Sequence, residues 1–305
     1  MIHPYATQDY AASLGHVGEA FAVPEWDGQV LTRATPERDR RDAMGPYPLT
    51  PIAPDADLRA GLDRLAAAEL VSIVLVTDDR LRPPLAVLEG AFDFVRPFKS
   101  HFLHDRSLGP VAYGKHHRYE LRRALAQVEA SEIALAEHLP AWEALYGELA
   151  ARRGLAGLHA FPAAHHAVLA RLPGLRTFGA FIDGRLVSAH LFVTHGGYAI
   201  SHLAASAAEG YETGAAYAVN DLAITALDDC QVINFGGGAG LTDDPSDGLV
   251  RFKKGFSNRT APSFLCGKVL DRPAYEMLSA GFGQAGFFPA YRGARAKEPA
   301  DAHPG

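Results

Sequence analysis

The pattern of apolar and polar positions predicts a meander of three strands in the second half of the chain. Apolar and β-branched runs over residues 175–182, 185–194 and 198–205 are typical of strands. Asp183-Gly184, between the first two runs, favours a type I′ hairpin turn, whose central residues take positive φ. The three strands are therefore expected to be antiparallel neighbours in one sheet.

Helices and further strands are predicted on both sides of this meander. Apolar residues at helical spacing predict helices over 57–69, 115–127, 139–153, 162–172, 213–227 and 273–279, and a short helix or turn over 246–256. Short apolar runs predict strands over 70–77, 84–95, 129–135, 232–235 and 262–270. The first 50 residues are rich in turn formers and predict an irregular start with short strands, and 210–214 predicts a loop. The fold class is therefore α+β or α/β, with mixed sheets flanked by helices.

Length and composition narrow the classes of protein that this chain can represent. The 305 residues suggest two domains, and 48% apolar with 21% charged residues excludes a disordered, collagenous or coiled-coil chain. The net charge of −6 means that any nucleic-acid contact must come from a local basic patch.

Cellular location and metal content can also be predicted from the sequence. The sequence shows neither a signal peptide nor an apolar run that could span a membrane, so we expect a cytoplasmic protein. Cys230 and Cys266 lie in no Cys-x-x-Cys or Cys/His cluster, so no metal site is expected.

Four short motifs lie between residues 202 and 256. They are His202 to Ser206, Gly214 to Tyr217, Ile233 to Gly238, and Gly248 to Phe256. The last contains a Phe-Lys-x-x-Phe element made of Phe252, Lys253 and Phe256. With the segments 98–101 and 116–123, these motifs resemble the Fem-like aminoacyltransferases of peptidoglycan bridge formation, which belong to the superfamily with the Gcn5-related N-acetyltransferase (GNAT) fold.

The resemblance implies a GNAT-like fold and an activity. Because of the chain length, and because the helix and strands over 57–95 echo the second half, we expect two GNAT-like halves, 1–125 and 126–290, with a disordered tail at 291–305. The activity implied is amide-bond formation between an amino acid from aminoacyl-tRNA and a small amine or peptide precursor, with no cofactor beyond the acyl donor. Because the chain carries no heptad-patterned arm, a small amine in natural-product biosynthesis fits its length better than peptidoglycan.

The resemblance also implies which residues form the site. Lys253 would meet the negative charge of the tRNA 3′ end or of a developing oxyanion, and Phe252 would shape that pocket. Phe256, Gly236 and Gly237 are expected to bind substrate. The alternative is a solvated basic turn with both phenylalanines in the core. His202 and Ser206, near the end of a predicted strand, are further catalytic candidates.

A basic stretch between residues 96 and 123 could hold the tRNA. It contains seven Lys or Arg and two acidic residues, a local charge of +5. On the helix predicted there, four cations are placed to follow a phosphate backbone. The predicted tRNA-binding residues are Lys99, Lys115, Arg118, Arg122, Arg123 and Lys254. The alternative is an interdomain helix whose arginines pair with acids.

The segment before the predicted helix at 213 partly matches the turn that binds the CoA pyrophosphate in GNAT enzymes. Gly214 and Ala216 fit that pattern, whereas Tyr211 stands where a polar or basic residue is usual. Glu209 and Glu212 add negative charge, which is unfavourable beside a pyrophosphate. Tyr211 and Gly214 are nevertheless candidate substrate-binding residues, and an acyl-CoA-dependent GNAT N-acyltransferase is the alternative function. Simple turn formation is the other explanation of these glycines.

Overall fold

The computed structural model describes residues 2–37, 39–239, 247–282 and 286–293. The chain divides into two compact units, each built from two segments. Unit 1 comprises Met1–His16 and Phe98–Ser263, and unit 2 comprises Val17–Pro97 and Phe264–Gly305. The division into halves at residues 125 and 126 stays a prediction. The tail predicted to be disordered from residue 291 is ordered at its start, because Tyr291 is buried and Tyr291 and Arg292 both hydrogen-bond to Asp42. The rest of that tail, from 294 onward, lies outside the described residues.

Eleven strands and ten α-helices make up the described part of the chain. The strands are β1 Glu19–Val23, β2 Gly28–Ala34, β3 Arg41–Met44, β4 Leu70–Asp78, β5 Phe94–Asp105, β6 Glu129–Ile133, β7 Leu175–Ile182, β8 Arg185–His195, β9 Tyr198–Ser206, β10 Val232–Asn234 and β11 Arg259–Val269. The helices are α1 Gln8–Ser13, α2 Leu58–Ala67, α3 Leu85–Ala91, α4 Lys115–Leu125, α5 Leu139–Arg153, α6 Ala163–Leu169, α7 Ala208–Thr213, α8 Ala215–Ala226, α9 Gly248–Gly255 and α10 Arg272–Ser279. This mixture confirms the predicted fold class.

Unit 1 contains the predicted meander, with strands in the order β5-β10-β9-β8-β7-β6. β10 pairs antiparallel with β5 and parallel with β9. Asp183 and Gly184 both have positive φ, 48° and 75°, as a type I′ turn requires. Beneath α8, the aromatic rings of Phe178, Phe192 and Phe235 are buried in one apolar core.

The strands of unit 2 follow the order β1-β2-β3-β4-β11. β3 and β4 are parallel, and the apolar side of α2 covers a core that includes Trp26 and Leu65. A Cβ on Gly61 of α2 would lie 2.1 Å from Trp26 Nε1, so glycine is needed for this close approach.

Three predicted segments differ from the structure. Residues 84–95 were expected to be a strand, but Leu85–Ala91 forms α3, which places Leu88 in the core, and β5 begins at Phe94. The predicted loop at 210–214 is largely helix, because α7 covers Ala208–Thr213 and only Gly214 breaks the path into α8. α1 lies within the start expected to be irregular.

Candidate active site

The parallel strands β9 and β10 separate at one point in unit 1. Their pairing ends at Ile200 and Asn234. β9 continues through Ser201, while β10 stops and the chain turns into the glycine loop, Gly236–Gly238. The carboxyl ends of parallel strands that part in this way are a common place for ligands to bind in sheets flanked by helices.

Two lysines from distant parts of the sequence hold the glycine loop. Lys253 Nζ, on α9, donates a hydrogen bond to the carbonyl oxygen of Gly237 at 2.7 Å. Lys99 Nζ, on β5, donates to the carbonyl oxygen of Gly238 at 2.9 Å. The structure therefore brings together four predicted site residues, the two lysines with Gly236 and Gly237, around one turn.

The three glycines of the loop allow an unusual backbone angle or a close approach to a neighbouring element. Gly236 has a φ of +74°, which side chains rarely adopt. A Cβ on Gly237 would lie 3.2 Å from Lys99 Cδ, and one on Gly238 would lie 2.7 Å from Val250 Cγ2. The loop is thus packed closely against both lysine-bearing elements.

The ammonium group of Lys253 lies in an unfavourable electrostatic environment. Burial lowers its pKa to about 8, and repulsion by the Lys99 ammonium adds to that effect, while Asp247 opposes it. Asp247 also caps α9, since its Oδ1 accepts the backbone N–H of Leu249 at 2.9 Å. Two half-buried cations beside one loop favour an anionic or developing negative charge as their partner.

The phenylalanines of the Phe-Lys-x-x-Phe element have different surroundings. Phe256 is 1% exposed and belongs to the core of unit 1, so its part in the site is to fix α9. Phe252 is half-buried, with its ring 4.9 Å from that of Tyr217. His117 of α4 hydrogen-bonds through Nε2 to the Phe252 carbonyl oxygen at 3.0 Å, and its ring packs on Gly255. These two contacts connect α4 to α9.

Ser201 belongs to a buried network of hydrogen bonds that the sequence did not predict. His190 of β8 hydrogen-bonds through Nε2 to Ser201 Oγ at 2.7 Å and through Nδ1 to Asn220 Oδ1 at 3.1 Å. Burial, with a smaller contribution from the nearby Lys253 charge, lowers the pKa of His190 to about 3. The three residues come from two strands and α8 and form no motif, so no local signal marks them.

Two further imidazoles of unit 1 share this behaviour. Burial lowers the pKa of His3 and of His165 to about 3 as well. We call these two groups and His190 the buried imidazoles.

His202 and Ser206 lie in different surroundings. Leu191 of β8 pairs with Leu203 and Phe192 with Ser201, so His202 is the extra residue of a β-bulge. Its ring hydrogen-bonds with Tyr5 Oη at 3.1 Å, whereas Ser206 Oγ hydrogen-bonds with Ser188 Oγ at 2.8 Å. In a regular strand, residues four positions apart lie on the same face of the sheet. The bulge therefore gives His202 and Ser206 different neighbours.

Tyr211 and Gly214, the candidates taken from the CoA pattern, contact other groups. The Arg152 guanidinium lies 4.3 Å from the centre of the Tyr211 ring. Glu120 Oε2 and Arg123 Nη2 both lie 3.5 Å from the position of a Cβ on Gly214. A carboxylate thus stands beside the start of α8, where a pyrophosphate would have to bind.

The predicted tRNA-binding cations of α4 fall into two groups. Lys115, Arg118 and Arg122 are exposed, and their spacing places them on one face of the helix; we call them the α4 stripe. Arg123 is instead half-buried. Its Nη2 lies 3.0 Å from Glu120 Oε2 and donates a hydrogen bond to the Glu212 carbonyl oxygen at 2.9 Å. Lys254 is exposed on α9.

The described ranges contain neither a metal-binding cluster nor a membrane-spanning helix. Within them, no group of three His, Cys, Asp or Glu residues is arranged to hold a metal ion. None of the helices described above is long and apolar enough to cross a membrane.

Comparison with known proteins shows similarity in fold. No family model matches the chain, and no curated protein matches it. FemX has a similar structure, with a TM-score of 0.62 at 12% identity over 89% of this chain and 93% of FemX. The C-terminal domain of a putative lysylphosphatidylglycerol synthetase from Agrobacterium fabrum has a TM-score of 0.62 at 13% identity over 95% of each chain. L-PGS from Bacillus licheniformis has a TM-score of 0.59 at 12% identity over 91% of this chain and 97% of that one. The resemblance to Fem-like proteins is thereby confirmed for the fold, which is GNAT-like.

Proposed function

We propose that this chain is an acyltransferase, and specifically an aminoacyltransferase that moves an amino acid from aminoacyl-tRNA to the amine of a small molecule or peptide precursor. The observation that carries the proposal is the pair of ammonium groups, Lys99 and Lys253, fixed on successive carbonyls of the glycine loop where β9 and β10 part. The FemX-like fold supports it.

Aminoacyl transfer requires a site that tolerates negative charge. An amine attacks the ester carbonyl, and negative charge develops on the carbonyl oxygen before the tRNA ribose oxygen leaves. Lys253, which is half-buried and bound to the loop, would stabilise this charge or the 3′-terminal phosphate. Lys99 would add a second cation, and Phe252 would form an apolar wall beside the reacting ester.

The surface of unit 1 supports a polyanionic donor. The α4 stripe supplies three exposed cations on a protein of net charge −6. Tyr119, 59% exposed on the same face, adds an aromatic ring on which a base could stack. His117 joins this helix to α9, so the stripe and Lys253 belong to one packed substructure.

The acyl-CoA alternative finds no comparable support. The Glu120 carboxylate faces the start of α8, and Glu209 and Glu212 lie on the preceding helix. A CoA pyrophosphate there would meet the ion pair of Glu120 with Arg123 rather than a net positive charge. With aminoacyl-tRNA as donor, we further propose that the protein acts in the cytoplasm, in the assembly of a small natural product.

The test is a transfer assay with total tRNA charged with a labelled mixture of amino acids. The acceptors are a set of primary amines and lysine-containing peptides, and the products are read by mass spectrometry. Wild type should yield amide products, and Lys253→Met should yield far less. Transfer from acetyl-CoA alone, or only to phosphatidylglycerol in vesicles, would overturn the assignment of donor or acceptor.

A further inference from the structure

The hydrogen bonds around His190 fix which of its ring nitrogens carries the proton. Asn220 Nδ2 donates to the Ala216 carbonyl oxygen at 2.7 Å, which leaves Asn220 Oδ1 to face the imidazole as an acceptor. His190 Nδ1 must then be the protonated nitrogen. Its Nε2 is left with a lone pair, which accepts the hydroxyl proton of Ser201 at 2.7 Å.

This arrangement sets the orientation of the Ser201 oxygen. His190 and Asn220 are 5% and 2% exposed, whereas Ser201 is half-buried. Because the Ser201 proton points inward to Nε2, the lone pairs of its oxygen face away from the imidazole. Ser201 is also the first residue of β9 beyond the last pair with β10, directly at the point where the strands separate.

The same sheet provides a contrast that argues against a purely structural role. Ser206, also on β9, satisfies its hydroxyl with Ser188 on β8, and no imidazole is needed. At Ser201 the partner is instead a buried histidine, itself oriented by a buried amide whose other end is fixed. A chain of this kind is what orients a hydroxyl for proton transfer.

We propose that Ser201 is the catalytic group that takes the proton from the attacking amine, and that His190 and Asn220 are positioning residues that prepare it. This inference rests on the proposed aminoacyl transfer. Ser201 lies on β9, at the opening where Lys253 holds the loop that continues β10. The amine and the developing oxyanion would thus meet different groups of one site.

The proton and electron balance of the step closes without a further reactant. The amine nitrogen forms a bond to the ester carbonyl carbon. As the bond between that carbon and the ribose oxygen breaks, one N–H proton passes to Ser201 Oγ and the Ser201 proton passes to the leaving ribose oxygen, which gives an amide and a free tRNA hydroxyl. His190 stays neutral throughout and holds the Ser201 hydroxyl in place, in agreement with its lowered pKa.

The first experiment reads the hydrogen-bond arrangement without any substrate. Long-range ¹H–¹⁵N spectra of the full chain with labelled histidine, assigned with His190→Gln, should show His190 neutral and protonated on Nδ1. Protonation on Nε2 instead would overturn the proposal, because Ser201 would then have no acceptor for its proton.

The second experiment uses the charged tRNA mixture and amine set described above. We expect Ser201→Ala to lower kcat by about 100-fold, the scale of a lost general base, with KM changed by less than about twofold. Ser201→Thr, which keeps a hydroxyl, should restore much of the rate. The matched control Ser188→Ala removes a buried hydroxyl of the same sheet, on β8, and should leave the rate unchanged.

The outcomes separate this proposal from the proposed function. If wild type transfers and Ser201→Ala transfers equally well, the proton relay is wrong while the aminoacyltransferase assignment stands. If wild type transfers nothing from any charged tRNA, both fail. A covalent aminoacyl group on Ser201, seen by intact mass when the donor is mixed without acceptor, would make Ser201 a nucleophile and overturn the relay.

Discussion

Removing the charge of Lys253 should lower the transfer rate strongly without weakening the fold. One pKa unit corresponds to about 1.4 kcal/mol, so a pKa lowered from 10.5 to about 8 means that folding disfavours the charged lysine by about 3 kcal/mol. This cost is fully present at pH 7, below both pKa values. This figure is the net of all interactions of the charged group, the hydrogen bond to the Gly237 carbonyl oxygen included, so removing the charge should not lower the unfolding free energy.

The effect on the rate should be much larger than the effect on stability. Loss of one donor to a developing oxyanion costs roughly 100- to 1,000-fold in rate, or about 2.7–4 kcal/mol. Lys253→Met keeps the apolar stem and removes the charge, which makes it the appropriate variant. Lys268→Met, which removes the charge of a lysine on β11 in unit 2, is the matched control and should keep nearly the full kcat.

Both quantities can be measured on the same protein samples. Transfer is followed with charged tRNA, and stability by urea unfolding at pH 7. An unchanged kcat together with a fall in the unfolding free energy would show that Lys253 is a structural residue, and the reasoning above would be refuted.

The pH dependence gives an independent test of the same charge. The rate of the wild type should fall as pH rises through about 8, because Lys253 then loses its proton. Lys253→Arg remains protonated at these pH values, so this decline should move to higher pH. A decline at the same pH in both proteins would assign it to another group.

Three further predictions concern tRNA binding and stability. Replacing all three residues of the α4 stripe by Ala should reduce the slope of log affinity for tRNA against log salt concentration by about 2–3. Arg123→Ala should leave the slope nearly unchanged, because Arg123 is already paired with Glu120. Equal slopes for the triple variant and the wild type would show that this helix does not bind tRNA. Gly255→Ala should cost about 1–3 kcal/mol in urea unfolding, because its Cβ would lie 1.8 Å from His117 Nε2. Gly248→Ala, with no atom within 4 Å of its Cβ, is the control in the same helix, and equal stability of the two variants would contradict the close packing. The buried imidazoles stay neutral in the folded protein, so the unfolding free energy should be constant above pH 6.5 and decrease as the pH falls below that value. At pH 5.5 the decrease should be about 1.4 kcal/mol for each imidazole. An unfolding free energy that stays constant from pH 7.5 to 5.5 would contradict their pKa values.

Local sequence signals predicted much of the fold of unit 1. The turn at Asp183-Gly184 and the bounds of α5 agree with the structure because both depend on residues close in sequence. Pro84–Val95 was assigned wrongly, since a short apolar run fits a strand or a buried helix equally well, and the packing of Leu88 decides for the helix.

The sequence predicted only those residues of the candidate site that belong to a recognisable motif. The Phe-Lys-x-x-Phe element and the glycine run led to Lys253 and its loop, which the structure brings together. The network of His190, Ser201 and Asn220 depends on a one-residue bulge and on the packing of α8, and neither leaves a local pattern. The same bulge separates His202 from Ser206, which spacing alone cannot reveal.

The two-segment construction of unit 1 has a consequence for how the protein is made. Tyr5 hydrogen-bonds with His202, and Ser13 with His165, so the first segment depends on partners that the ribosome adds much later. At about 5–20 residues per second, on the order of ten to forty seconds separate Tyr5 from His202 during translation. Until residue 165 has been added, the nascent Met1–His16 segment lacks both contacts, and a chain truncated before that residue can make neither of them.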